Sequence, residues 1–442
     1  MELDEEVRAA SSDPGKLEEL YQTATQQGQS DVFRSALLTS FEAAPDNLLY
    51  GAWFYRLEQI TEEPPAQRQG VNWIAAVPLS ILTGLIFWAL SDVEQLTIDE
   101  EIPQLLLWWS PVATMSALIF LALTARNNIG RALALGVGLL AAAAYALLLG
   151  PAIAPPVMID HYVIVAAIHI PLLCWIALGI SVLGFRSSPD DRFAFMKKSI
   201  EVVIVAGLYL IAGLAFGGIT MGMFAALGIT LPDILLRLII AGGFGLLPVL
   251  AIATVYDPGK RPAEQDFDQG LSKFIATMMR LLLPLTLGVL LIYVLVIPFY
   301  FKEPYENRDV LIVYNLMLFG ILGLLLGATP IQRDDLAPKL QRWLRTGIVA
   351  VAVLAILISL YAFSATLYRT FEGGLTLNRV AIIGWNSLNI AILLWLVYRQ
   401  FKDGWDKWVE SLQAVFSQAA NPYMIWGLLL LLAIPVLFFV AR

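Results

Sequence analysis

Residues 202–224 read VVIVAGLYLIAGLAFGGITMGMF, twenty-three consecutive positions without Asp, Glu, Lys or Arg. A helix of about 20 such residues crosses the roughly 30 Å hydrocarbon core of a bilayer. A helix on the surface of a soluble protein needs a polar face, and this stretch has none. It is therefore read as the centre of a membrane span running from Ser199 to Phe224.

Outward from it, the same kind of run recurs along most of the chain. Towards the N-terminus the expected spans are Val71 to Leu90, Pro103 to Thr124, Ile129 to Gly150 and His161 to Gly184. Towards the C-terminus they are Leu231 to Tyr256, Lys273 to Phe301, Asp309 to Thr329, Leu344 to Thr366, Arg379 to Tyr398 and Pro422 to Ala441. Composition agrees, with 58% hydrophobic and only 14% charged residues, against about 25% charged in soluble chains. The expected fold is all-α: a polytopic transmembrane helix bundle of about eleven spans. Residues 1–70 form a small acidic cytoplasmic helical domain and linker, and residues 71–442 form the transmembrane helical domain.

Lys and Arg concentrate in every second connection, and cytoplasmic loops retain positive charge. Arg126 and Arg131, Arg186 to Lys198, Lys260 to Lys273, Arg333 to Arg345 and Arg399 to Lys407 mark the inner side. The loops Ser91 to Ile102, Pro151 to Asp160 and Ala225 to Thr230 contain neither residue and mark the outer side. Lys302, Arg308, Arg369 and Arg379 are exceptions on outer loops. This pattern predicts a multipass membrane protein with its N-terminus cytoplasmic and its C-terminus outside. Trp405, Trp408, Val409, Leu412, Val415 and Phe416 recur at helical spacing before the last span, as in a helix lying in the inner interface.

The net charge of −8 comes largely from the N-terminal run Glu2, Asp4, Glu5, Glu6, and no basic stripe is present, so no nucleic-acid partner is expected. The chain opens with acidic, polar residues in place of the basic and short apolar regions of a cleavable signal. The single cysteine, Cys174, excludes a disulfide framework within one chain. From about Pro14 to Ile60 the pattern predicts three short amphipathic helices: Leu17, Leu20 and Tyr21; Val32, Leu37, Leu38 and Phe41; Leu48, Leu49, Trp53 and Leu57. These serve either as a cap on the membrane domain or as a docking module for a cytoplasmic protein partner through residues 1–65.

No metal-ligand cluster, nucleophile elbow or phosphate loop appears, so the sequence predicts neither an enzyme nor a cofactor. Chemistry is instead sought among the intramembrane polar residues, because such groups are costly in lipid and must be paired or functional. His161 and His169 lie eight residues apart, about 80° around one helix. With Asp160 they form a candidate proton-responsive or cation-binding group, the alternative being hydrogen bonding between helices. Arg237 and Arg280 lie about two turns inside their spans, with Asp160 or Asp233 as expected partners of the first and Glu201 of the second. Asn315, Asn386, Ser387 and Asn389 are explained by interhelical hydrogen bonds. Gly213 to Gly217, Gly218 to Gly222, and Gly242, Gly243 and Gly245 with Pro248 suggest either close helix packing or a discontinuous helix pair lining a substrate path.

The turn before the tenth expected span reads Arg369, Thr370, Phe371, Glu372, Gly373, Gly374, Leu375, Thr376, Leu377, Asn378, Arg379. It resembles the Arg-x-x-Glu-Tyr-Gly-Leu-Thr-x-Asn-Arg signature of the bacterial multipass membrane proteins grouped as domain-of-unknown-function family 4153. Leu283, Pro284 and Leu285 through Tyr293 and Phe299 are similar to that family's Pro-Leu-bearing span. Gly373 departs from the pattern, which has Tyr there. The resemblance implies a bacterial plasma-membrane location with this loop as its hallmark, and it attaches no activity. On the residues alone, Gly374 suits a tight turn, Thr376 a helix cap, and Arg369, Glu372 and Arg379 either a structural charge network or a site for an anionic headgroup or solute.

The leading expectation is a permease or transporter-like protein for a small solute or lipid. The alternatives are a non-catalytic scaffold or sensor docking a partner through its N-terminal helices, and an enzyme acting on lipids at a convergence of Asp160, His161 and Arg237. Membrane lipids are the expected contacts of the spans; substrate, coupling ion and oligomeric state are not specified by the sequence.

Overall fold

The computed structural model describes residues 2–26, 30–62, 71–91, 104–125, 129–146, 156–184, 186–333, 336–433 and 436–437. Among these residues the regular elements are helices, with no strand. The chain divides into two compact units, Met1–Gly70 and Val71–Arg442.

The first unit holds four helices, α1 (Glu2–Ala9), α2 (Pro14–Gln26), α3 (Ser30–Ala43) and α4 (Leu48–Glu62). Three were expected. The acidic run conceals the fourth, because Leu3, Val7 and Ala10 share one helical face and pack into the core. That core gathers Leu17, Phe33, Leu37, Tyr50 and Trp53, with the Tyr21, Phe33 and Trp53 rings in mutual contact. Asn47 starts α4 by accepting from the backbone N–H of Leu49 and Tyr50, and its amide donates to Ser11 O at 2.9 Å. Val32, Leu38 and Leu48, expected on the buried face, are exposed; Phe33, Ala36 and Tyr50 fill the core in their place.

Among the described residues of the second unit, ten helices are long and apolar enough to cross a membrane. They are α5 (Trp73–Leu90), α6 (Gln104–Ala125), α8 (Pro156–Leu183), α9 (Pro189–Ala226), α10 (Asp233–Val255), α11 (Gly270–Val296), α12 (Arg308–Ala328), α13 (Pro338–Gly373), α14 (Leu377–Lys402) and α15 (Trp408–Leu428). The shorter apolar helix α7 (Ile129–Ala144) lies among them; the Gly150 boundary expected for it falls outside the described residues. Helix α9 has 38 residues, roughly 57 Å at 1.5 Å per residue. Its first three turns carry Asp190, Asp191, Arg192, Lys197 and Lys198 and extend the element beyond the purely apolar run.

The amphipathic segment near the C-terminus is corrected. Trp408, Val409, Leu412, Val415 and Phe416 are buried in the largest core of the bundle, and the helix continues from Trp408 through a π turn at Leu429–Ala433. Its apolar stripe therefore packs on protein rather than lying in an interface, and the last apolar helix begins at Trp408 instead of Pro422. This core also draws on α9 and α11 to α14, with Leu283, Leu325, Ile348, Ile358 and Leu393 fully buried. A second group of helices packs through cores of its own: α5, α6 and α10 through Ala76, Phe120 and Val249, and α6 to α8 through Leu139, Tyr162 and Ile170, the latter core also taking in Leu377 of α14 and Leu431 of the C-terminal π turn. Helix α9 stands between the groups, with Phe193 and Met196 in the first core and Val205 against Ala251 of α10 and Ile275 of α11.

The glycines of α10 resolve in favour of close packing. A Cβ on Gly245 would lie 2.6 Å from Gly84 Cα, and one on Gly84 would lie 2.8 Å from Gly242 O. Backbones of α5 and α10 therefore meet directly, and α10 absorbs the approach with a π turn at Leu238–Gly242. In α9, by contrast, Gly213, Gly218 and Gly222 have open space where a Cβ would stand. Replacing Gly245 with Val forces the two backbones apart and should lower the thermal midpoint of the purified protein clearly, since overpacking costs about 1–3 kcal/mol or more. Gly243→Ala, whose Cβ meets nothing within 4 Å, should leave the midpoint level or raise it; equal losses in the two variants would refute the contact.

Candidate functional site

The Lys/Arg-rich connections converge at one end of the bundle. There Lys198 on α9 is 3% exposed, and its ammonium donates to Glu201 Oε2 at 2.8 Å, Asp266 O at 2.7 Å and the Ser272 hydroxyl at 2.8 Å. Glu201 also accepts from the Ser272 hydroxyl at 2.7 Å. An ammonium has three N–H donors, and all three are used. Lys197, one residue earlier, donates to Thr329 O at 2.7 Å, beyond the end of α12. The expected Arg280–Glu201 pair does not form: Glu201 takes Lys198, one turn away on its own helix, while Arg280 Nε reaches Ala328 O at 3.4 Å. A span boundary at Ser199 assigns Lys198 to the loop; its i, i+3 spacing from Glu201 is the signal in the sequence that points the other way.

Between the two groups of helices lies a cleft of about 1300 Å³. Its lining runs from Lys198 and Ser199 at the Lys/Arg-rich end to Asn378, in the first turn of α14, at the opposite end. Most of the wall is apolar, and Lys198 and His169 are its sole Lys, Arg, His, Asp or Glu members among the described residues. Ile168, Val203 and Ile312, all on the wall, are 66%, 69% and 51% exposed, which marks an open cleft rather than a sealed void.

Midway stands a polar and aromatic cluster. His169 Nδ1 lies 2.6 Å from Val165 O, and Trp385 Nε1 donates to His169 Nε2 at 2.9 Å. An indole nitrogen only donates, so Nε2 is the acceptor and the imidazole proton sits on Nδ1 in a neutral ring. Trp385 packs against Phe319 and Tyr423, with ring centroids 5.7 and 5.4 Å apart, and the Tyr423 hydroxyl donates to Asn389 Oδ1. Asn315 also faces the cleft, and Asn386 and Asn389 are buried. His169 is therefore held by a helix-to-helix hydrogen bond. The side chains of Asp160 and His161 lie outside the described residues, so the expected histidine group is represented by His169 alone.

At the opposite end two sets of arginines behave differently. Arg237 donates to Ser91 O, Ser91 Oγ and Trp88 O, the carbonyl end of α5. The expected carboxylate partners are replaced by the negative pole of a helix. Arg369 Nη1 donates to Tyr305 O at 3.2 Å and Glu306 O at 2.9 Å, fastening α13 to a one-turn helix at Glu303–Glu306. Arg379 Nη1 donates to Gly374 O across the signature turn, where Gly374 has φ +76° and Thr376 caps α14 through its hydroxyl. A Cβ on Gly373 would come within 2.8 Å of both Arg379 Nη atoms. The absence of a side chain at Gly373 thus leaves room for this guanidinium to fold back over the turn. Glu372 accepts from the Tyr368 hydroxyl at 2.6 Å. Arg369, Glu372, Gly373 and Arg379, with Tyr368 and with Phe301, Lys302, Tyr305 and Glu306 from the preceding connection, line a pocket of about 800 Å³. The sequence points to Arg369, Glu372, Gly374, Thr376 and Arg379, and misses Lys302, Tyr305 and Tyr368, which reach the pocket from elsewhere in the chain or carry no signature signal.

Among the described residues no group of three or more His, Cys, Asp or Glu side chains stands close enough to hold a metal ion. Comparison with protein-family models, with curated proteins and with solved structures finds no match. The ten apolar helices mark a multipass membrane protein.

The buried Lys198–Glu201 pair can be tested by a mutant cycle. Lys198→Met leaves Glu201 buried without its charge partner and should destabilise the protein by about 3–5 kcal/mol, whereas Lys198→Met with Glu201→Met should recover most of the loss. Additive losses, read as thermal midpoints in detergent, would show that the two side chains are not coupled.

Proposed function

We propose that this protein is a transporter-like membrane protein whose cargo is an amphipathic, largely apolar molecule of lipid type. The carrying observation is the cleft whose wall reaches from Lys198 to Asn378, near the two ends of the bundle. Its volume of about 1300 Å³ exceeds the roughly 300–1,000 Å³ of pockets for drug-sized ligands. An inorganic ion or a sugar finds few polar partners on such a wall, and Lys198 has no donor left to offer. Alkyl chains match it, while Asn315 and Asn378 offer stations for polar atoms.

In this reading the Lys/Arg-rich end is cytoplasmic, as the distribution of basic loops suggests, so the N-terminal unit is inside and the C-terminus outside, in a bacterial plasma membrane. In the same reading the chain is akin to the domain-of-unknown-function 4153 proteins whose signature its turn resembles. A second reading, a scaffold or sensor docking a cytoplasmic protein, is favoured by one observation: Leu48 is 90% exposed and Val32 54% on the N-terminal unit. Deleting residues 1–65 discriminates, since a transporter retains lipid movement and a scaffold loses its partner.

Gly320 and Gly323 line the cleft, and a Cβ added at either would meet nothing within 4 Å. In proteoliposomes the wild-type chain should accelerate transbilayer movement of a tail-labelled phospholipid, and Gly320→Trp should slow it by about tenfold at an unchanged thermal midpoint. Exchange no faster than in protein-free vesicles, together with no lipid co-purifying with the protein in native mass spectra, would overturn the proposal.

A further inference from the structure

The end pocket is separate from the cleft, and its chemistry is different. Three cations line it, Lys302, Arg369 and Arg379, against two carboxylates, Glu306 and Glu372. Among the described residues neither arginine forms an ion pair, and Lys302 Nζ has no hydrogen-bond or ion-pair partner. The guanidiniums are nevertheless anchored. Arg369 uses Nη1 on the Tyr305 and Glu306 carbonyls, leaving Nε–H and both Nη2 hydrogens. Arg379 uses one Nη1 hydrogen on Gly374 O. Each therefore presents fixed, unsatisfied donors in a fork geometry suited to phosphate or carboxylate oxygens.

We infer that the pocket formed by Lys302, Arg369 and Arg379 binds a phosphate group carried on a larger organic body. A tetrahedral phosphate spreads its oxygens in three dimensions and can be shared by two guanidiniums and an ammonium that reach it from different walls, a geometry the planar carboxylate matches less well. The surplus of one positive charge, three against two, suits a single anionic group. The volume of about 800 Å³ is far more than inorganic phosphate fills, and Phe301, Tyr305 and Tyr368 supply aromatic wall for the remainder of the molecule. Phe299, Tyr300, Phe301 and Phe371 stand exposed around this end of the bundle, as aromatic side chains do at headgroup depth. The attached body is either the glycerol backbone of an anionic lipid or a soluble phosphomonoester; the chemistry recognised is the same.

The test is binding by the full-length protein in a neutral detergent, measured by titration with dioctanoyl phosphatidic acid and, separately, with glycerol 1-phosphate. Saturable binding of the lipid alone supports the site and names a membrane lipid. Comparable binding of glycerol phosphate supports it and names a soluble ligand. Lys302→Gln, at an exposed position, and Arg379→Gln should each weaken binding about tenfold, the loss of one charge-assisted contact, with thermal midpoints unchanged. Gly320→Trp, which fills the cleft, should leave it intact and so separates the pocket from lipid held by the cleft. No saturable binding of either probe, or full affinity in both charge variants, overturns the inference.

Discussion

The placement of α9 depends on what a lysine ammonium requires when it leaves water. Lys198 is held at 3% exposure with one acceptor from its own helix, one from the 257–269 turn and one from α11. An unpaired ammonium in such a site would shed its proton or pull the structure open, so the three acceptors are a condition of burial rather than an ornament. Because they come from separate elements, satisfying Lys198 fixes α9 against α11. Lys197, pointing to Thr329 O, fixes it against the end of α12 as well. Arg261, in the same turn, donates to Asp191 at 2.8 Å, and Ala263 N–H reaches the other carboxylate oxygen, closing the arrangement near the start of α9.

With α9 pinned at one end, its apolar length can separate two groups of helices without being packed along every face. The opening between them is the cleft, and its polarity follows from how the bundle handles its remaining polar groups. His169 and Trp385 satisfy each other's hydrogen-bonding capacity, Tyr423 satisfies that of Asn389 Oδ1, and Arg237 is absorbed by the end of α5. Internal satisfaction of this kind is what hydrocarbon surroundings demand. It leaves a wall that is apolar over most of its length and polar only where a group has capacity to spare.

The apolar architecture is legible in the sequence because a long run such as residues 202–224 has one physical solution in a bilayer. Pairings are not. Depth alone joins Arg280 to Glu201, yet the partner is Lys198, which a boundary drawn at Ser199 leaves in water. Arg237 is matched to carboxylates because charge seeks charge, and it finds carbonyls because α5 ends beside it. The C-terminal helix shows a third kind of limit: a stripe of Trp408, Leu412 and Phe416 with charges opposite has the same periodicity whether lipid or protein covers it. In the end pocket the signature turn reveals its own residues, while Lys302 and Tyr305 arrive from a connection more than sixty positions earlier, which no local pattern encodes.

The two arginine arrangements at that end argue about function by contrast. Arg237 makes bonds through both Nε and Nη2 to a helix terminus, so its charge is committed to holding α5 to α10. Arg369 and Arg379 are bound only through Nη1, so they are positioned while their Nε and Nη2 donors stay open. Structural duty would be served equally well by a neutral donor, and an idle cation beside lipid or in a pocket carries a solvation cost that a neutral donor avoids. Gly373 adds to the contrast. A side chain there would displace the Arg379 guanidinium, and its absence keeps that charge on the pocket wall. The turn is thus built around access to a cation, and that preference, more than the count of positive residues, separates a ligand site from a brace.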